Sequence, residues 1–327
     1  MNDWKVLQVG MGNFGLTWLE RVLSKHERIG KVIVVDHHEE NLEKARLIAG
    51  EREVETFYEA EDALRKHTPD LLINVTQPNH HEAVNALAIQ YRIPILCEKP
   101  LSLTLEQAMQ ERDRARSSRV PLMVAENYRY FTICREVKRL LEQGTIGRLH
   151  AVEVEFRRAH RMSNYHGQME QPLLLDVTIH HVDMLRYFTG DNARSVSARG
   201  WNPSWSWYSG LTNAHLLVSM NGGVELSYTG SLTCRGDETD WLGSWRFEGE
   251  SGVLHMANGQ LEVKTSAGIR RWTVEQERDS RWAVLDECLA SLEEERPGET
   301  DVEDNLHTAA IIEAAITSIA EERHVLL

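Results

Sequence analysis

Short apolar runs alternate with helix-like segments through the first part of the chain. The apolar runs predict strands at residues 5–9, 32–35, 71–75, 93–96 and 122–125. The segments between them have a helical spacing of apolar positions, and they follow residue 15 and occupy 41–49, 60–66, 80–90 and 105–117. Strands that are apolar throughout and alternate with helices are typical of a parallel sheet covered on both faces.

The pattern changes after about residue 125. Residues 149–156 alternate apolar and polar side chains, as a strand with one buried face does. Further strand candidates between 195 and 273 are separated by glycine-containing turns. The remaining helices are predicted at 136–142, 173–189, 282–295 and 302–321. We therefore expect an α+β second part with a largely antiparallel sheet.

A glycine-rich turn follows the first predicted strand and opens the first helix. Its glycines are Gly10, Gly12 and Gly15. In a dinucleotide-binding turn the first glycine permits a tight bend, the second lets backbone approach a pyrophosphate, and the third allows close helix packing. The helix N-terminus would attract the phosphates, and we include Asn13 and Phe14 among the expected cofactor contacts.

Asp36 ends the next strand, 21 residues after Gly15. A carboxylate there can accept hydrogen bonds from an adenosine ribose and repel a 2′-phosphate, which favours NAD over NADP. The neighbouring His37, His38 and Arg46 act against that preference.

Lys99 directly follows the apolar run 93–96, between Glu98 and Pro100. A residue in this position lies at the carboxyl end of a buried strand, where open α/β sheets bind ligands. Alone it could be an ordinary surface charge. Because the glycine turn and the acidic residue belong to the same edge of the sheet, we interpret Lys99 as a positioned catalytic cation.

A carboxylate and an imidazole share one face of the helix predicted at 173–189. Asp176 and His180 are four residues apart, and Asp183 lies on the same side. An imidazole with a carboxylate one turn away suits proton transfer near neutral pH. Two alternatives remain open here: Asp176 as a helix cap beside a buried histidine, and a zinc or manganese site at Asp176 and His180. No other His, Cys or carboxylate cluster obviously completes such a site, although His160 and His166 are nearby in sequence.

Together these motifs resemble the glucose-fructose oxidoreductase / inositol dehydrogenase / rhizopine catabolism (Gfo/Idh/MocA) family over essentially the whole length. The resemblance rests on Gly10-x-Gly12-x-x-Gly15 with Asp36, Glu98-Lys99-Pro100, Asn127-Tyr128-Arg129 followed by Gly144-x-x-Gly147, and Asp176-x-x-x-His180-x-x-Asp183. It implies an α/β chain with a Rossmann domain, residues 1–124, followed by an α+β domain, residues 125–327. The second domain would carry a large, mostly antiparallel open sheet that often mediates oligomers.

The resemblance also implies roles for individual residues. Lys99 and His180 would be the catalytic pair, with Asp176 as their partner and with both members of the pair touching substrate. Glu98 would lie by the nicotinamide ribose. The nicotinamide end of the site would be lined by Thr76, Gln77 and His81, and the substrate would lie near Asn127 and Arg129.

Three departures from the family pattern touch the substrate pocket more than the catalytic residues. The chain has Thr76-Gln77-Pro78 where Thr-Pro is usual, which leaves the backbone before the His81 helix open. It has Thr178 where a glycine is common two residues after the catalytic aspartate, and Gln171-Pro172-Leu173 where a glycine pair is often found shortly before that aspartate.

The implied activity is hydride transfer between nicotinamide and a secondary alcohol of a sugar or cyclitol. The same architecture serves NAD-dependent glycoside cleavage or elimination with transient oxidation, and a non-catalytic sensor of cofactor or sugar is a third possibility. Four aromatic residues are candidates for stacking on a sugar, or for core or interface packing: Trp201, Trp205, Trp207 and Tyr208.

The composition of the chain indicates which classes of binding partner are excluded. Asp and Glu outnumber Lys and Arg by 50 to 36, a net charge of -14, which argues against nucleic-acid or anionic-membrane binding. No apolar run approaches the ~20 residues of a membrane span. Four cysteines far apart, with no secretion signal, indicate a cytoplasmic protein with reduced thiols. We expect a polyol or sugar substrate, no metal, and a homodimer or homotetramer.

Overall fold

The computed structural model describes residues 3–50, 52–161 and 167–327. These residues form two compact units. The first comprises Met1–Asn127 and Arg278–Leu306, and the second comprises Tyr128–Glu277 and His307–Leu327. The chain therefore returns to the first unit after residue 277 and leaves it again after residue 306.

The first unit contains a six-stranded sheet in the order β3-β2-β1-β4-β5-β6, with all neighbours parallel. Its strands are β1 (Trp4–Val9), β2 (Ile29–Val35), β3 (Val54–Phe57), β4 (Leu71–Asn74), β5 (Ile95–Cys97) and β6 (Leu122–Val124). The predicted parallel sheet is confirmed. The strand order reverses between β1 and β4, and ligands of such sheets bind at this switch point, outside the carboxyl ends of the strands.

Helices connect these strands. They are α1 (Asn13–Trp18), which continues as a π-helical turn (Leu19–Leu23), α2 (Glu39–Ile48), α3 (Ala60–Lys66), α4 (Pro78–Gln90) and α5 (Leu105–Ser118). Local sequence explains several of the ends. Pro78 is the first residue of α4, where its missing N–H costs nothing. Thr104 caps α5 by accepting a hydrogen bond from the Gln107 N–H at 3.3 Å.

The second unit contains a nine-stranded sheet in the order β14-β13-β12-β11-β7-β10-β9-β8-β15. All neighbours are antiparallel except β7 and β10. Its strands are β7 (Leu149–Arg157), β8 (Ala193–Trp201), β9 (Asn213–Met220), β10 (Glu225–Ser231), β11 (Ser244–Gly249), β12 (Gly252–Ala257), β13 (Gln260–Thr265), β14 (Gly268–Thr273) and β15 (Val325–Leu326). The predicted α+β part with a mostly antiparallel sheet is confirmed.

Helices α6 (Thr132–Glu142) and α7 (Ile179–Thr189) contribute to the core of this unit, together with Ile311 and Ala315 of the last helix of the chain. A π-helical segment, Leu173–Thr178, leads directly into α7. The inward residues of β7, including Val152, Val154 and Phe156, are buried in that core, whereas the residues between them face outward.

The chain closes with α8 (Ser280–Glu293) and α9 (Val302–Glu321). Between them, the segment at Thr300 pairs with the edge of β6. The Val124 N–H donates to the Thr300 carbonyl at 2.8 Å, and the Thr300 hydroxyl donates to the Val124 carbonyl at 2.6 Å. The segment thereby covers an edge that would otherwise expose unpaired backbone groups. None of the helices in the described ranges has the length and apolar character needed to cross a bilayer.

Candidate active site

The glycine turn after β1 has the geometry of a cradle. Gly10 has φ +96°, and a Cβ there would lie 2.6 Å from the Val75 carbonyl oxygen. A Cβ on Gly15 would lie 2.1 Å from the Gly10 carbonyl oxygen, so this glycine is required for close packing. A Cβ on Gly12 would meet nothing within 4 Å. The open side at Gly12, at the start of α1 with Asn13 and Phe14, fits a pyrophosphate.

The buried Gln8 side chain holds the glycine turn through two hydrogen bonds. The Gln8 amide nitrogen donates to the Gly15 carbonyl at 2.9 Å and to the Gly10 carbonyl at 3.1 Å. Gln8 is fully buried although it belongs to an apolar strand. This role of Gln8 was not among the sequence predictions, although a polar residue inside the apolar run 5–9 is a signal for it.

Asp36 joins the end of β2 to the glycine turn. Its Oδ2 accepts a hydrogen bond from the Met11 N–H at 2.7 Å, and its Oδ1 accepts from the His38 N–H at 2.9 Å and the Asn41 amide at 3.1 Å. The carboxylate is therefore held at the carboxyl edge of the sheet, beside the cradle. Its negative charge fits a ribose diol and opposes a phosphate.

The nearest strong cation of α2 is already compensated. Arg46 donates to Glu39 at 2.8 Å and to the Thr56 hydroxyl at 2.6 Å. Arg46 in turn holds the pKa of the Glu39 carboxyl below its usual value, through that hydrogen bond and with help from Tyr58. This ion pair reduces the attraction that Arg46 would exert on a 2′-phosphate.

His81 connects the loops that follow β4 and β5. Its Nδ1 lies 3.0 Å from the Pro100 carbonyl and 3.2 Å from the Leu101 carbonyl, and its Nε2 lies 3.1 Å from the Thr76 carbonyl. Burial lowers the pKa of His81, and the carbonyls act in the opposite direction. The ring is buried inside the unit, where it ties the half-buried Lys99 segment to the β4 loop.

Thr76 and Gln77 form the β4 loop itself. The Thr76 hydroxyl donates to the Asn74 side-chain oxygen at 2.7 Å, and Gln77 is the exposed residue before α4. The backbone at Gln77 is extended, with φ -72° and ψ 150°. The additional residue is thus accommodated as an ordinary N-cap before Pro78.

Glu98 is a buried carboxyl beside Lys99. Its Oε1 accepts from the Trp18 indole N–H at 2.6 Å, and its Oε2 accepts from the Lys99 backbone N–H at 3.2 Å. Burial raises the pKa of Glu98 to about 7, while the Trp18 hydrogen bond and the charges of Lys99 and Arg281 act in the opposite direction. The carboxyl can therefore change protonation near neutral pH.

Arg281 is a buried cation that the sequence analysis did not identify. It is paired with Asp279 at 2.7 Å, and its guanidinium carbon lies 4.9 Å from the Phe14 ring centroid and 5.4 Å from that of Trp18. The next residue back, Ser280, accepts a hydrogen bond from the Asn127 amide at 2.8 Å. The start of α8 thus contributes to the same edge as the cradle, far along the sequence from it.

In the second unit, Asp176 and His180 lie on either side of a change in helix type. Asp176 belongs to the π-helical segment, and His180 belongs to α7. The π segment begins at Leu173 after Pro172, so Asp176 is not at the capping position. Such π turns occur frequently at functional sites. The His180 ring is buried and lies parallel to the Tyr128 ring, with centroids 3.9 Å apart.

His181, the next residue, is buried and held by hydrogen bonds through both ring nitrogens. Its Nδ1 lies 3.1 Å from the Tyr228 hydroxyl, and its Nε2 lies 3.0 Å from the Trp241 carbonyl. Burial lowers the pKa of His181 to about 3, so it is neutral at physiological pH. The Thr178 hydroxyl donates to the same Tyr228 oxygen at 3.1 Å, which explains a threonine at this position. Of the two histidines, His180 is the better candidate for proton transfer.

Arg129 is engaged within the second unit. Its Nε donates to Asp183 Oδ2 at 2.8 Å, and its Nη2 donates to Oδ1. The Thr308 hydroxyl also donates to Oδ1, at 3.1 Å. Both charged side chains are buried. A contact between Arg129 and substrate stays a prediction, since these bonds assign the guanidinium a structural task.

The remaining candidates from the sequence are the metal ligands and the aromatic residues for sugar stacking. Within residues 3–50, 52–161 and 167–327, no group of three His, Cys, Asp or Glu side chains could hold a metal ion. His166 lies outside the described residues. Two of the aromatic candidates bind the His160 carbonyl through Trp207 Nε1 at 3.2 Å and the Tyr208 hydroxyl at 2.8 Å, while Trp205 is half-exposed under Arg235.

Comparison with known proteins agrees with this geometry. A protein of Sinorhizobium fredii described as uncharacterized protein y4oX is 27% identical over 97% of this chain and 93% of its own. D-apiose dehydrogenase of Rhizobium rhizogenes is 27% identical over 78% of this chain and 79% of its own. An oxidoreductase from Agrobacterium radiobacter, crystallised with NAD+, L-tartaric acid and magnesium, has the same fold. Its TM-score is 0.92 at 24% identity, covering 99% of this chain and 98% of the other.

Two family models cover most of the chain. The model of an oxidoreductase family with an NAD-binding Rossmann fold matches residues 4–126, and the model of the GFO/IDH/MocA C-terminal domain matches residues 134–261. The protein therefore belongs to the GFO/IDH/MocA family of oxidoreductases, and its first unit carries the family's NAD-binding Rossmann fold.

Proposed function

We propose that the protein is a dehydrogenase that transfers a hydride between nicotinamide and a secondary alcohol of a sugar, cyclitol or sugar derivative. The observation that supports this best is the convergence at one sheet edge of the glycine cradle, the Asp36 carboxylate and Lys99. These features follow β1, β2 and β5, and the strand order reverses between β1 and β4. When bound, the nicotinamide supplies the hydride acceptor for alcohol oxidation.

NAD is the proposed cofactor, in preference to NADP. Asp36 presents a negative charge beside the cradle, and the Met11 N–H holds it there at 2.7 Å. The Arg46–Glu39 pair leaves little net positive charge for a 2′-phosphate. Both features support discrimination between NAD and NADP by the charge of the 2′-phosphate rather than by its shape.

Lys99 and His180 are the proposed catalytic pair. His180 would take the proton of the reacting hydroxyl, and Asp176, four residues earlier, would orient its ring. Lys99 would hydrogen-bond the same oxygen and stabilise the developing alkoxide. Because two coupled groups can share one titration, the apparent pKa values of the reaction belong to the Lys99–His180 pair rather than to either residue.

The substrate class follows from relatives. D-apiose dehydrogenase and a Thermotoga maritima myo-inositol 2-dehydrogenase are among the similar proteins, at 27% and 25% identity. We extend the proposal to a homodimer or homotetramer formed through the open sheet. A cytoplasmic location is supported by four free cysteines, three of which are buried.

The activity test is a panel of sugars, inositols and sugar nucleotides, each incubated with NAD or NADP. We expect NADH to accumulate with at least one polyol and NADP to be a poorer acceptor. Product formation from a glycoside without net NADH would instead indicate transient oxidation in a cleavage or elimination reaction. Binding without turnover across the panel would favour a sensor.

Replacement of Lys99 tests the chemical role. Lys99→Ala should lower kcat by about a hundred- to a thousandfold, the usual cost of losing one oxyanion-stabilising donor, while NAD affinity measured by calorimetry changes little. Lys66→Ala is the matched control, because Lys66 ends α3 and is ion-paired with Glu55 at 2.5 Å. Parent-like turnover in Lys99→Ala would contradict the proposed mechanism.

A further inference from the structure

The His180 imidazole is packed flat against a phenol ring. The Tyr128 and His180 ring planes differ by 4°, and their centroids are 3.9 Å apart. Both rings belong to the second unit. A parallel contact this close fixes the plane in which the two imidazole nitrogens lie, because rotation about the Cβ–Cγ bond would drive the rings into each other.

The phenol ring is itself held from several sides. Tyr128 opens a short 3-10 turn, Tyr128–Tyr130, whose second residue is Arg129. The buried Arg129–Asp183 pair ties this turn to α7, and Thr308 adds a hydrogen bond from α9. The Phe131 ring meets Tyr128 edge-on at 5.6 Å. These buried contacts join the turn that carries Tyr128 to the helix that carries His180.

The face of a phenol ring carries partial negative charge. A cation over such a face is stabilised by an amount that corresponds to about two- to thirtyfold in the protonation equilibrium of the imidazole. Other titratable groups on and beside α7 also have partners. Arg129 and Arg186 face Asp183, Arg135 and Lys138 lie over the Tyr187 ring, and His181 is held neutral by burial. Asp176, in the preceding π segment, adds a negative charge.

From this geometry we infer that Tyr128 is a positioning residue for His180, which fixes the imidazole plane and favours its protonated form during proton transfer. The inference rests on the proposed role of His180 in catalysis. It assigns to Tyr128 a task that the motif Asn127-Tyr128-Arg129 does not by itself indicate. The stacking partner is aromatic and lacks a charge of its own at neutral pH, so it adjusts the imidazole without competing with it for the proton.

The test uses two substitutions in the full-length protein. Tyr128→Phe keeps the ring, and Tyr128→Leu removes it while retaining an apolar side chain of similar bulk. NMR titration of the His180 ring in protein labelled at histidine gives the midpoint directly. We expect a midpoint near that of the parent in Tyr128→Phe and a midpoint lower by about 0.4 to 1.5 pH units in Tyr128→Leu. The acidic limb of the kcat/KM profile should move by the same amount, with a reduced kcat and little change in the KM for NAD.

Phe188→Leu is the matched control, because Phe188 also lies on α7 but its ring packs edge-on against Trp245 and Phe247. It should leave the His180 midpoint in place. An unchanged midpoint in Tyr128→Leu, or an equal displacement in Phe188→Leu, would overturn the inference. Failure of the proposed function is a separate result: parent-like turnover in His180→Ala would remove His180 from the mechanism, while the NMR midpoints would still report on the stacking.

Discussion

The glycines of the cradle serve two different purposes, backbone packing and ligand binding. Gly10 and Gly15 are required by the backbone, since a Cβ at either position would approach a carbonyl oxygen within 2.6 Å. Gly12 has no such neighbour, so its missing side chain serves the ligand rather than the fold. The two kinds of glycine can therefore be distinguished by experiment.

Gly15→Ala should destabilise the protein, and Gly12→Ala should weaken NAD binding without destabilising it. Overpacking against backbone costs about 2–3 kcal/mol, whereas an alanine fits the φ of -62° at Gly12. Denaturant unfolding without cofactor measures the first effect, and calorimetry with NAD measures the second. Equal losses of stability in the two variants would contradict this division.

Glu98 should make stability depend on pH. Burial raises its pKa in the folded protein from 4.5 to about 7, so the folded state holds the proton more tightly than the unfolded state. Its contribution is full below pH 4.5 and is lost as the pH rises through 7, amounting to about 3 kcal/mol. In Glu98→Gln, the free energy of unfolding should lose this decline, as measured by denaturant titrations across the range.

Trp18→Phe is a second variant for the same experiment. In the parent, the hydrogen bond from the Trp18 indole N–H lowers the pKa of Glu98, so the loss of this bond should raise that pKa. We expect the decline in stability to extend to higher pH. A decline that is the same in the parent, Glu98→Gln and Trp18→Phe would assign it to another group.

Sequence alone was sufficient to locate the residues that directly follow the predicted strands. The three glycines, Asp36 and Lys99 follow strands that are recognisable as apolar runs, so their edge of the sheet was predictable. Gln8 and Arg281 were not, because their roles depend on contacts made after folding. Arg281 reaches Phe14 and Trp18 only because α8 returns to the first unit.

Among the secondary-structure elements, the helix that carries His180 departs from its expected form. Apolar spacing predicted one helix at 173–189, but residues 173–178 are π-helical and α7 begins at Ile179. The Ile179 N–H bonds to the Leu174 carbonyl, five residues back. The apolar pattern did not reveal this change, because Leu173, Leu174 and Val177 are buried in the π-helical segment and would suit the buried face of an α-helix equally well.

The buried Arg129–Asp183 pair joins a 3-10 turn to α7, and we expect that breaking it is strongly destabilising. Asp183→Asn removes the buried carboxylate charge that accepts two hydrogen bonds from Arg129, which costs about 3–5 kcal/mol. Glu39→Gln breaks an ion pair with Arg46 that is about half-exposed, and its effect should be far smaller. Chemical denaturation of both variants makes the comparison, and similar losses would contradict the assignment.

At the scale of the whole molecule, the division of the chain was not predictable from its pattern. The helices near 282–295 and 302–321 were expected from their periodicity, but nothing in their composition indicates that residues 278–306 belong to the first unit. That assignment depends on contacts such as the pairing of Thr300 with Val124 at the edge of β6.

The return of this segment predicts how fragments behave. A fragment of residues 1–127 exposes the β6 edge and should associate through it. The same fragment joined to residues 278–306 by a flexible linker should be monomeric and should bind NAD. Light scattering and NAD calorimetry on both fragments check this, and a monomeric, NAD-binding 1–127 fragment would show that the returning segment is dispensable.

The double crossing of the chain between its units also restricts how this enzyme can be recombined with its relatives. Residues 128–277 and 307–327 share one unit, so they must be inherited from the same parent if that unit is to keep its internal contacts. Hybrids with paired crossovers at both junctions should fold more often than hybrids with one. Directed evolution that exchanges substrate-handling parts would therefore gain from designing its breakpoints in pairs.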